Sequence, residues 1–268
     1  MGSARVTSPT QLRSRTISGL GVVGSFEKGT GGMLGAGDNP RPFCPAPRAC
    51  RMSTTAPIAA ADVTAFHDRL LATTGWPQAE PAPPAPGLWQ WIQANHRNNC
   101  LLWAEEDLAR RTTVADAEIA ANKRAIDRCN QARNDATERV DELLLLALGV
   151  VDEAAARSEA PLAQVAAGAR LNSETAGSMI DRLSILSLKL QAMGEQTRRG
   201  DVDEAHRATS RQKWERLAQQ RADLAGCLDA LLAETAAGKA FFKVYRQFKM
   251  YNDPAFNPEL VKERQRPR

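Results

Sequence analysis

The groups in this chain that could do chemistry are His96, Asn99, Glu106, Arg133 and Asp181, and their spacing is what singles them out. Positions 89, 92, 96, 99, 103, 106 and 110 follow the alternating three- and four-residue step of one helix face, yet they read Trp, Ile, His, Asn, Trp, Glu and Arg. A core seam should be apolar. The segment 116–148 interrupts its own seam with Arg133, beside Asn130, Asn134 and Thr137, and the segment 172–189 sets Glu174, Ser178, Asp181 and Ser184 along one side. Sites in helical bundles are built from inward side chains on facing helices, so antiparallel neighbours can gather these groups into one layer. In such a layer His96, Glu106 and Asp181 are the candidate acids and bases. Asn99, Asn130, Asn134 and Ser178 are candidate ligand-binding groups, with Arg133 as an anion clamp.

Each group also has a plainer use. Glu106 and Arg110 stand at i and i+4 and form a solvated pair worth a few tenths of a kcal/mol. His96 reads equally as a hydrogen-bonded structural histidine, and Arg133 with Asp181 or Glu106 as a buried pair that fixes helix register.

A second feature is the run from Lys239 to Tyr251, where Lys239, Lys243, Arg246 and Lys249 alternate with Phe241, Phe242, Tyr245, Phe248 and Tyr251. Lys243, Arg246 and Lys249 are therefore added to the candidate ligand-binding residues. Cations beside stacking surfaces suit a phosphorylated or nucleotide-bearing molecule, single-stranded nucleic acid or an anionic lipid surface. Docking is the alternative: Phe242, Tyr245 and Phe248 strap onto the bundle while the lysine stems extend outward.

Composition narrows the classes. The chain of 268 residues carries a net charge of +4, but residues 1–51 hold seven cations against two carboxylates. The remainder is nearly neutral, so nucleic acid is not an expected partner. Five scattered cysteines form no C-x-x-C pair, which argues against a disulfide framework or a zinc site and for a reducing, cytoplasmic setting. The histidines His67, His96 and His206 lack the Glu-x-x-His spacing of di-iron bundles, and neither a phosphate-binding G-x-x-x-x-G-K-[ST] loop nor a G-x-S-x-G elbow occurs. No metal and no cofactor are expected. No apolar run reaches the roughly 20 residues that span a bilayer, which leaves only peripheral membrane contact.

The elements that must position these groups are helical. Residues 1–51, rich in Gly, Ser, Pro and Arg, show no apolar period, and Met52 opens a segment that reads as a native start. They are expected to be a disordered or over-extended upstream segment. Residues 52–86 comprise a short helix around Val63, Phe66 and Leu70 and a link carrying Pro81, Pro83, Pro84 and Pro86. Residues 87–258 form the main domain, with helices expected over 88–111, 116–148, from Asn172 or Ser173, and over 202–237, followed by a basic tail over 259–268. In the last long helix Trp214, Leu217, Leu224, Leu228 and Leu231 are expected inside, with Gly238 as its stop. The fold class is all-α: an antiparallel bundle of about five helices with long central members.

Three segments, Ile126 to Asp135, Asn172 to Lys189 and Phe242 to Pro254, carry a likeness in order along the chain. On them the region from Leu88 to Pro258 resembles the bacterial family catalogued as domain of unknown function 4254. Ala176 departs from its pattern, where proline is expected. The resemblance implies a setting in surface polysaccharide and lipopolysaccharide assembly. An accessory or ligand-binding bundle is the first functional expectation, working on an anionic small molecule or beside a glycosyltransferase. An enzyme acting on a phosphorylated or nucleotide-linked sugar is the second, and a structural interaction module the third.

Overall fold

The computed structural model describes residues 56–158, 165–247, 250 and 253–265. The reading of residues 1–51 and the roles given to Phe248, Lys249 and Tyr251 lie outside the described residues. Helix α1, Ala60–Leu71, buries Val63, Phe66, His67 and Leu70 at the spacing of one helical face. The proline link leads to α2, Leu88–Leu108, and a seven-residue loop returns the chain as α3, Asp116–Ala147. So short a connection makes the two an antiparallel hairpin. After a single turn, α4, Glu153–Ala156, come α5, Ala176–Arg198, and α6, Glu204–Ala236, which form a second hairpin. Helix α5 is central, packing on α1, α2, α3 and α6. The all-α class is as the periodicity requires, with four long helices and the shorter α1 among the described residues.

The core lies where the hairpins meet. Leu144, Leu145, Ile180, Leu183, Leu228 and Leu232 are all at most 1% exposed, and burying each such side chain stabilises the fold by about 1.5–3 kcal/mol. Trp214 breaks the expected pattern. It is 42% exposed rather than inside: the α5 residue facing it is Gly194, which has no side chain to cover the ring.

Gly238, at φ 69°, ends α6 and lets Lys239 N donate to Glu234 O at 2.8 Å. The chain then adds β2, Ala240–Phe241, in parallel to β1, Arg170–Leu171, a pairing that the helical reading did not include. Asn172 N donates to Phe241 O at 2.8 Å, which holds Asn172 extended and corrects its expected role as helix cap. Thr175 caps α5 instead, its hydroxyl accepting from Ser178 N at 3.1 Å. Beyond β2 the chain straps across α3, with Phe242 and Val244 buried. A final helix, α7, Pro258–Gln265, occupies most of the expected basic tail and buries no side chain.

Candidate functional site

Asn95 and Asn99 stand one turn apart on α2 and face α5 across the core. Their Nδ2 groups both donate to Asp181 Oδ1, at 2.8 and 2.9 Å. Asn95 also donates to Thr137 Oγ1 of α3 at 3.0 Å, and Thr137 back-bonds to Arg133 O at 2.9 Å. Asn99 donates to Ser184 Oγ at 2.9 Å, and Ser184 Oγ lies 2.8 Å from His96 Nδ1. Three helices are thus joined by one polar layer. With the Asn99 amide supplying a hydrogen to Ser184, the serine hydroxyl is available to donate to a neutral His96.

Behind this layer the polarity continues into the core. His67 of α1 is fully buried, stacks on His96 at 4.5 Å, and neither ring nitrogen has a hydrogen-bond partner among the described residues. Burial, then the charges of His96 and Arg221, hold His67 well below the ordinary histidine value, and burial takes His96 to about 3. Trp76 Nε1 donates to Cys100 Sγ at 3.2 Å, and burial pushes that thiol up to about 11. A protonated thiol and two neutral imidazoles make this end of the layer structural; the nucleophilic form of cysteine is the thiolate.

The layer opens to solvent at its other end. A groove of about 280 Å³ is lined by Asn99, Leu102, Trp103, Glu106, Arg133 and Leu188, among others. Arg133 Nε lies 3.9 Å from Asp181 Oδ1, an ion-pair contact with no hydrogen bond to Nε among the described residues, and Nη2 is offered to Asn134 Oδ1 at 3.4 Å. Charge-assisted bonds between nitrogen and oxygen run about 2.7–2.9 Å, so most of its donor capacity is unspent. The larger groove of about 880 Å³ between α5 and α6 differs, because Arg170 and Arg182 on its rim are taken by Glu234 and Glu174, each at 2.7 Å or less.

Residues 89–244, more than half of the chain, match the family described as Protein of unknown function (DUF4254). The chain belongs to the DUF4254 family. No curated protein and no solved structure matches it.

In this DUF4254 protein the expected layer is assembled only in part. His96, Asn99, Arg133 and Asp181 converge. Glu106 does not reach His96, since ten residues along a helix are about 15 Å; it sits on the groove and pairs with Arg110 at 2.7 Å. Asn134 turns away to accept from Arg133 and to donate to Gln247 at 2.8 Å. Asn130 is half-buried one turn earlier, outside the layer, and Ser178 is engaged with Thr175 at 2.9 Å in the α5 cap. Arg246 is not a free anion clamp: Glu142 at 2.5 Å and Glu138 at 3.1 Å take it. Lys243 lies half-buried with its ammonium 6.0 Å from the Phe241 ring. Lys249 is outside the described residues. Among the described residues no three His, Cys, Asp or Glu side chains gather as a metal site, and no helix is long and apolar enough to cross a membrane.

Asn95 and Asp141 went unread in the sequence, and His67 was weighed there only for metal-binding spacing. Asp141 is fully buried in α3 and accepts from Gly177 N of α5 at 2.6 Å; burial pushes its carboxyl up to about 7. The sign of it was present in the chain, two adjacent carboxylates, Asp141 and Glu142, within an apolar seam.

Proposed function

We propose that this DUF4254 protein is a ligand-binding bundle that takes a phosphorylated sugar, or a closely similar hydroxyl-rich anion, in the groove between α2, α3 and α5. The observation that carries the reading is Arg133, a guanidinium at a groove wall with its donors largely unspent although a carboxylate stands 3.9 Å away. A phosphate there can accept two of its hydrogens at once. Trp103, 36% exposed, offers a flat apolar face for a sugar ring, and Glu106 and Asn99 offer acceptors and donors for hydroxyls. His96 is buried and neutral beneath this surface, so its part is to hold Asn99 and Ser184 in place. Surface-polysaccharide assembly, the setting the resemblance implies, supplies ligands of this chemistry, and a glycosyltransferase is the partner class that would use such a protein as an accessory.

Titration calorimetry with glucose 1-phosphate, with glucose and inorganic phosphate as controls, tests the reading. The sugar phosphate should bind best, and its affinity should weaken with salt because exposed charge attraction is screened over about 8 Å at physiological ionic strength. Arg133→Gln should lower affinity at least about tenfold, the loss of one charge-assisted contact worth about 1.4 kcal/mol or more, with the helical content of the folded chain retained. Equal binding by Arg133→Gln and the unsubstituted chain, or no binding by either, would remove it.

A further inference from the structure

Trp214 stands in the first half of α6, 42% exposed, and the α5 residue facing it is a glycine. A methyl group at Gly194 would lie 3.6 Å from the indole Nε1 and 3.5 Å from Arg198 Nη1. The bare backbone at this point thus seats the ring and the guanidinium side by side. Two grooves, of about 370 and 330 Å³, flank the ring, and Gly194, Arg198 and Trp214 line both. The first continues to Arg221, the second to Arg211.

The cations around the ring differ in how they are spent. Arg221 donates to Asp68 at 2.7 Å and to buried Ser187 at 3.1 Å, and Arg211 is paired with Glu204. Arg198 is exposed, and its guanidinium has no ion pair or hydrogen bond among the described residues. The linings of the two grooves carry Arg198, Arg211 and Arg221 against Asp68 and Glu215, so their balance is slightly positive. An indole face stacks any nucleobase, and a free guanidinium matches a phosphate.

We infer that Trp214, Gly194 and Arg198 form a second binding site, for a planar ring bearing an anionic group, the chemistry of a nucleoside monophosphate. The base lies on the exposed indole, in one of the two grooves, and the phosphate meets Arg198. The site is independent of the Arg133 groove, because Gly194 and Arg198 lie two to three turns farther along α5 than Leu188.

Adenosine monophosphate titrated into the full chain, with adenosine and inorganic phosphate as single-group controls, tests the site. Saturable binding of the nucleotide is expected, at least tenfold tighter than of either control. Trp214→Leu and Arg198→Gln should each weaken it at least tenfold with helicity and melting temperature unchanged, Trp214→Phe should retain most of it, and Arg133→Gln should leave it intact. Arg198→Gln changes an exposed side chain, so it reads the site even where the tryptophan variant unfolds. No saturable binding of the nucleotide, binding no tighter than that of phosphate, or full affinity in Arg198→Gln overturns the inference. A change in oligomeric mass on Trp214→Leu without nucleotide binding also overturns it and marks the ring as a protein contact.

Discussion

Arg246 Nη1 meets Glu142 Oε1 at 2.5 Å across 104 residues of chain, and the pair is only 19% and 8% exposed. Arg246 also reaches Glu138 at 3.1 Å and the Ser158 carbonyl at 3.0 Å. The C-terminal strap is therefore held by charge as well as by the buried Phe242 ring. Removing Arg246 leaves Glu142, 8% exposed, with Arg139 as its remaining cation, so the cost lies toward the lower end of the roughly 3–5 kcal/mol for breaking a buried pair. Arg246→Met should lower stability by about that amount in denaturant unfolding, and adding Glu142→Gln should recover part of it. A double-mutant cycle with strictly additive losses would show that the two groups act separately.

Stability should depend on pH in two opposed ways. His67 and His96 have folded-state values below the ordinary 6.5, with His96 at about 3. In the window between about 3 and 6.5 the unfolded chain binds more protons, so their contribution is complete above 6.5 and lost as pH falls. Asp141 runs the other way. Its carboxyl is raised from 3.8 to about 7, so between those values the folded state holds the extra proton and stability falls as pH rises. Asp141→Asn keeps an acceptor for Gly177 N–H and removes the titration. Relative to the unsubstituted chain it should gain at least about 1 kcal/mol between pH 4 and 8, one pK unit being worth about 1.4 kcal/mol. Parallel stability curves for the two proteins would show that Asp141 does not titrate in this range.

Gly177 is required by close approach rather than by backbone angle. A methyl group there would lie 2.6 Å from the Thr137 carbonyl oxygen and 2.9 Å from the Asp141 carboxylate carbon. The carbonyl belongs to α3 and cannot swing aside. Gly177→Ala should therefore force α5 away from α3 and destabilise the bundle by about 1–3 kcal/mol, despite the better helix propensity of alanine. A melting temperature equal to or above that of the unsubstituted chain would mean that the helices separate without strain.

What the chain determines by itself is local. The positions of α1, α2, α3 and α6 follow from apolar residues at helical spacing and from Gly238, because a helix start or stop is decided by nearby groups. The polar stripe on α2 was legible for the same reason: a face is a matter of spacing. Tertiary structure decided which charges are spent. Arg246 and Arg133 look alike in sequence, yet the first has two glutamates from α3 and the second keeps its donors, since their partners lie on elements far away in the chain. The α5 cap moved to Thr175 because a carbonyl 69 residues downstream, Phe241 O, had already taken the Asn172 N–H. Trp214 was placed by what faces it: α5 presents Gly194 there, which has no side chain to cover the ring, and no periodicity within one segment records what the facing helix presents.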